Sequence, residues 1–319
     1  MQDFRLFHFL SEAAKSNNFN KIYGEAYELG TVLHVNDNSG AARNTNSKYK
    51  NKIASIRDRH DRLVKKLLPK DLAQKAMQAS QDSGNAYLDS LETNHGMPRK
   101  DVTEVHHTHE GIDEFMGHKV NRNDNPHDLV VRGKRSFIHG ASLKARKGTA
   151  SNNGAGVIDS RIGADMSGMW RTHKKRAGVG HMTGDELKQV RDEPKIVAAN
   201  DRAQKAVANH HAETFAGMPL NDQKKHLRLL MKGKPEMDYD YVVASNKGAK
   251  AIPHNKIPHL NAVDSARGFS TQVRNNVMHV FDHKGRHLAA VEHRPTHGSF
   301  SSLQVNTKYG SMKSTGDEA

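Results

Sequence analysis

Asp128, Ser142 and Lys144 are the residues whose types and spacing suit one piece of chemistry. Asp128 stands at the mouth of a short β-branched run, Leu129-Val130-Val131. Residues 132–135, with Gly133 among them, read as a hairpin turn, and residues 137–143 as the returning strand. Ser142 and Lys144 are two apart and so project from one face of that strand. Asp128 and Lys144 can then meet at one end of the hairpin. Phosphodiester hydrolysis calls for such a set. A hard divalent cation, Mg²⁺ or Mn²⁺, is held by carboxylate oxygens. It polarises the phosphoryl oxygen and lowers the pKa of an attacking water. A neighbouring lysine orients the water and offsets developing negative charge.

The segment Asn125-Pro126-His127-Asp128, followed by Gly140-Ala141-Ser142-Leu143-Lys144, resembles the PD-(D/E)xK nucleases, in particular their restriction-endonuclease-like members. In those, one strand begins with Asp and the next carries Glu-x-Lys, with Ser or Gln sometimes replacing the Glu. The resemblance covers about 30 residues, counted from Asn125 to Gly156. It implies a metal-dependent DNA endonuclease with Asp128 as metal ligand, Lys144 beside the water, and Ser142 where the second acid usually stands.

One departure has consequences. No Asp or Glu occurs from Leu129 to Ile158, so the second strand contributes no carboxylate. Another acid must complete the metal site. Glu28 is favoured, then Glu25, because the family often supplies a glutamate from its first helix. Glu110, with Asp113 and Glu114, lies just before Asp128. The same acid-free stretch holds Arg132, Lys134, Arg135, Arg146 and Lys147, and Lys174, Lys175 and Arg176 follow. These cations, with Asn152 and Asn153 in a Ser/Asn/Gly-rich stretch, are suited to tracking a phosphate backbone.

The elements that must position these groups follow from periodicity. Residues 4–15 and 22–35 read as two helices interrupted at Asn17 and Asn18. Residues 49–80 read as a long helix broken or kinked at Pro69, and residues 82–91 as a continuation. Residues 149–156 read as a loop and 184–231 as mostly helical. Residues 239–245, 277–281, 287–293 and 302–307 read as a late antiparallel group, with a turn at His283-Lys284-Gly285. The expected fold is α/β or α+β, with a restriction-endonuclease-like core and a short central mixed sheet flanked by helices. A single domain is expected over 1–319, with a helical part to about 95, a catalytic core at about 100–180, and helices plus antiparallel strands at about 184–310.

Composition points the same way. Lys plus Arg number 49 against 35 for Asp plus Glu, a formal charge of +14, which favours an anionic partner, with DNA first. The absence of cysteine excludes disulfides and thiolate metal sites. No apolar run approaches a membrane span and no signal-peptide layout opens the chain. The expected setting is therefore cytoplasmic or viral, not secreted, with DNA as partner and a homodimer for cutting both strands.

Other constellations compete. His106 or His107 with Asn125 and His139 resemble the HNH, or ββα-metal, nucleases, in which a histidine base works beside a histidine-bound metal. Glu292, His293 and His297 offer metal or phosphate ligands, but Pro295 prevents a helix there, and a strand running into a turn is expected. Trp170 is expected in the core. Outside enzymes, the polarity and incomplete acid set suit a DNA-binding or packaging protein that works by charge alone.

Overall fold

The computed structural model describes residues 3–108, 112–116, 127–144, 149–232, 238–245 and 247–312; residues 3–18, 114, 149–153 and 232 are described by backbone alone. In chain order the helices are α1 (Asp3–Asp37), α2 (Ser47–Arg62), α3 (Lys70–His95), α4 (Ile112–Met116), α5 (Ala155–Ile162), α6 (Met166–Arg176), α7 (Gly184–Val190), α8 (Pro194–Ala216), α9 (Leu220–Lys232) and α10 (Pro258–Ser265). The strands are β1 (Val102–His107), β2 (Leu129–Gly133), β3 (Ile138–Lys144), β4 (Thr149–Gly154), β5 (Tyr239–Ser245), β6 (Gly248–Pro253), β7 (Phe269–Arg274), β8 (Val277–Asp282), β9 (His287–Pro295) and β10 (Leu303–Tyr309). The fold is α+β. The contacts gather into two compact units.

The first unit comprises residues 1–121, 126–148 and 235–254. Its sheet runs β1-β2-β3-β5-β6, and only the β3–β5 pair is parallel. This is a mixed sheet. Helices α1 and α3 cover one face. Ala26, Leu29, Val32 and Leu33 of α1 recur at helical spacing and are buried with Leu88 and Leu91 of α3, Leu129 and Val131 of β2 and Leu143 of β3. Each such large side chain contributes about 1.5–3 kcal/mol when fully buried. The two helices approach closely because small residues face each other. A Cβ on Gly30 would lie 2.5 Å from Ser80 Oγ, and one on Gly84 would lie 2.5 Å from the His34 ring. Tyr27 and Ser83 share a hydrogen bond of 2.8 Å across this crossing, which fixes the rotation of α1 about Glu28.

Helix α1 runs through Asn17 and Asn18 without a break. Asparagine costs only about half a kcal/mol in a helix interior and, unlike proline, keeps its N–H donor. Pro69 does end a helix. The chain widens into an i→i+5 turn over Leu63–Leu67, and Pro69 caps α3.

The second unit comprises residues 122–125, 149–234 and 255–319. Its antiparallel sheet runs β4-β10-β9-β8-β7. Helix α8 packs on β7, β8 and β9, and α9 on β4 and β10. The β8–β9 turn stands where expected. Buried Asp282 accepts from the N–H groups of Lys284 and Arg286, and Gly285 takes the positive φ of 73°. Trp170 is buried against Phe300 and donates to Ser301 O, as a core residue does.

Two expectations are corrected. Residues 149–154 form strand β4 rather than a loop, because β10 supplies a ladder partner, with one irregularity opposite Thr307 and Lys308. Residues 239–245 belong to the first sheet, parallel to β3, and not to the late antiparallel group. Among the described residues, no helix is long and apolar enough to cross a membrane.

Candidate active site

Asp128 is placed by its neighbours in sequence and in the sheet. Gly140 on β3 has no Cβ, and the His127 ring occupies that space; a Cβ there would come within 2.1 Å of it. Thr108 Oγ1 holds the His127 carbonyl at 2.6 Å. With residue 127 seated, the Asp128 N–H donates to Ala141 O and its side chain turns back over the end of the ladder. Asp128 Oδ2 accepts from Leu143 N at 2.5 Å and faces Lys144 Nζ at 3.7 Å. The hairpin thus brings Asp128 and Lys144 together at one end.

Glu28 reaches the same place from α1. Its Oε2 lies 3.5 Å from His107 Nε2 at the end of β1. Burial pushes the Asp128 carboxyl above the usual range, and the Glu28 charge adds to this. Lys144, the Leu143 N–H and His107 pull the other way without cancelling the rise. Tyr241, buried beside Ser142 in the β3–β5 register, is pushed up to about 12 by burial and by Asp128. The site is therefore acidic, partly desolvated and short of positive charge.

Two carboxylates, a lysine and no thiolate are donors of the hard-oxygen kind that Mg²⁺ prefers. That ion commonly uses one or two carboxylates and keeps several waters. Asp128 and Glu28 would hold it. Glu25 is turned elsewhere, bound at 2.6 Å by Arg59. Ser142 is buried and carries no charge. Glu110, Asn125, Arg146 and Lys147 lie outside the described residues, and of Asn152 and Asn153 only the backbone, in β4, is described.

The expected basic frame is redistributed. Arg132, Lys134 and Arg135 sit at the far end of β2, about 13 Å or more along the strand from Asp128. Arg132 lies over the Phe115 ring and donates to Phe115 O, and Lys134 pairs with Asp101 at 2.6 Å. They hold the hairpin turn and do not bracket the carboxylate. Lys174, Lys175 and Arg176 end α6 in the second unit. There Arg171, His173, Lys175 and Arg176 line an open groove of about 460 Å³.

The HNH-like set is not assembled. His106 is held between Lys52 Nζ and Glu104 Oε2, each at 3.0 Å, and burial lowers it to about 4. His139 lies two strands away and out of register, packed instead against His95 and Asp240. Of the late candidates, Glu292 faces Lys308 at 3.7 Å, and the His297 N–H is used in a turn by Ser301 Oγ.

His293 is buried in a chain the sequence does not reveal. His226 Nε2 lies 2.8 Å from His211 Nε2, and His211 Nδ1 lies 2.8 Å from His293 Nε2. His293 Nδ1 reaches Asn276 O at 3.3 Å. Also unforeseen are His95 and Asp240, which with His139 form the one group of three or more metal-ligating side chains gathered within 4.8 Å among the described residues. A sequence signal existed for Asp240, a lone acid inside the apolar run of β5.

Comparison with known family models, curated proteins and solved structures returned no match.

Proposed function

We propose that the first unit is the catalytic part of a metal-dependent DNA endonuclease centred on Asp128, Glu28 and Lys144. The observation that carries this reading is the convergence, at one sheet end, of a half-buried carboxylate, a second carboxylate from α1 and a lysine 3.7 Å away. The mixed sheet and the net charge of +14 agree with it. When bound, Mg²⁺ would supply Lewis-acid polarisation of the scissile phosphate.

The protein's own groups do the rest. Asp128 and Glu28 fix where the phosphate is presented. Lys144 Nζ donates to the attacking water and offsets charge that develops on phosphate oxygens. His107 orients Glu28, and the Leu143 N–H fixes the Asp128 rotamer. The basic groove on α6 suits a phosphate backbone. One such site cuts one strand, so a double-strand cut calls for two copies of the chain.

The test is incubation of plasmid DNA with Mg²⁺ or Mn²⁺. The intact protein nicks or cuts it, and Lys144→Met and Asp128→Asn cut at least 100-fold more slowly while still binding. A second reading, binding or packaging without cleavage, is favoured by the neutral Ser142 where an acid usually stands. It predicts steeply salt-dependent binding and no metal-dependent product.

A further inference from the structure

We infer that His95, His139 and Asp240 form a binding site for one transition-metal ion of the zinc class, separate from the Asp128 site. The three residues come from the last turn of α3, the start of β3 and the start of β5. Asp240 is fully buried and His139 nearly so, while the His95 side chain is 19% exposed and opens a path inward.

The hydrogen bonds determine where the protons are. Tyr87 OH lies 3.2 Å from the carbonyl of His139 and 3.1 Å from its Nδ1. A carbonyl only accepts, so the phenol proton goes there and the phenol oxygen accepts from Nδ1–H. His139 Nε2 is then left with a lone pair, and it faces Asp240 Oδ1 at 3.7 Å. Neither His139 Nε2 nor Asp240 Oδ2 has a hydrogen-bond partner among the described residues. The His139 lone pair thus faces a carboxylate rather than a donor, and both it and Asp240 Oδ2 are buried without a donor to replace water. A cation held by His139 Nε2 and the Asp240 carboxylate would offset this.

The spacing suits a metal. His95 Nε2 lies 2.9 Å from Asp240 Oδ1, and the three donor atoms fall within 4.8 Å of one another. A tetrahedral ion with bonds near 2.0–2.1 Å sets its donors about 3.4 Å apart, between the 2.9 and 3.7 Å found. On binding, His95 moves its proton to Nδ1 and offers the Nε2 lone pair. Tyr87 holds His139 from behind, as outer partners of ligating imidazoles do. Two imidazoles and one carboxylate select zinc, or Co²⁺, Ni²⁺ or Fe²⁺, over Mg²⁺. The ion would fasten the end of α3 to the sheet and leave one position for water.

The test uses the full chain, stripped with chelator and titrated with Zn²⁺ by calorimetry and with Co²⁺ by visible absorption. We expect one tight equivalent, a tetrahedral Co²⁺ spectrum and a Tm raised by Zn²⁺. His95→Gln and Asp240→Asn, checked for native circular dichroism, should each weaken that equivalent at least 100-fold, and Tyr87→Phe about 10-fold. Asp128→Asn should bind Zn²⁺ as wild type does, which separates this site from the proposed nuclease. The inference is overturned if no stoichiometric equivalent binds. It is equally overturned if His95→Gln and Asp240→Asn both keep full affinity, which would assign the binding to other histidines.

Discussion

Both units bury histidines, but they satisfy them differently. In the second unit the three rings of His226, His211 and His293 hydrogen-bond to one another in a row, with only the terminal His226 Nδ1 left over. Asn276 O can only accept, so His293 Nδ1 donates and its Nε2 accepts from His211 Nδ1–H. His211 Nε2 then accepts from His226 Nε2–H. Every ring is neutral and the donors run one way. In the first unit the polar groups meet acceptor against acceptor. His139 Nε2 faces Asp240, and Asp128 shares its surroundings with Glu28. The same residue types thus serve as internal packing in one place and as a ligand set in the other. What separates them is whether each donor meets an acceptor along the row or two acceptors are left facing each other.

The largest effect should come from acid. Burial lowers His226 and His293 to about 4 and His211 well below its ordinary value. The unfolded chain binds these protons near pH 6.5, so stability is full above that pH and is lost as pH falls from 6.5 toward 4. Each group contributes up to about 1.4 kcal/mol per pH unit. Urea midpoints measured across this window should fall steeply, and imidazole NMR shifts should keep the three rings neutral at pH 5.5. Charged rings in the folded protein at that pH would break the contrast between the units.

His211→Ala should come next, costing about 2–4 kcal/mol in chemical denaturation. It opens a cavity and strands the facing nitrogens of His226 and His293. Gly140→Ala in the first unit should cost about 1–3 kcal/mol, because its Cβ would displace the His127 ring. It should also lower any activity that depends on Asp128. Asp128→Asn should do the reverse, raising Tm slightly at neutral pH. The Asp128 carboxyl is raised in the folded state, so its stabilising contribution is present in acid and lost as pH rises through its folded value. The advantage of the variant should therefore shrink as pH falls, and added Mg²⁺ should close it from the wild-type side.

The strands legible in the sequence and those that were not divide by position. Inner strands β2, β3, β5, β8, β9 and β10 carry apolar or β-branched runs, such as Leu129-Val130-Val131 and Tyr241-Val242-Val243. The unforeseen strands β1, β4, β6 and β7 are the four sheet edges. Their sequences, among them Thr-Ala-Ser-Asn-Asn-Gly in β4, scatter single apolar residues such as Val102 and Val105 of β1 among polar or small ones, and so lack the apolar run that marks a strand. The Asp128–Lys144 meeting was legible because both residues lie on one hairpin. The Asp240 pairing with His95 spans 145 residues and depends on β5 joining β3, which no local spacing encodes.

The most direct measurement is DNA cleavage by the purified chain with and without Mg²⁺, run beside Lys144→Met and Asp128→Asn at matched DNA binding. Metal-dependent product from the wild type, lowered at least 100-fold in both variants, is the expected result. DNA binding with no metal-dependent product, or cleavage that survives in both variants, would contradict the assignment of Asp128, Glu28 and Lys144 as the catalytic centre.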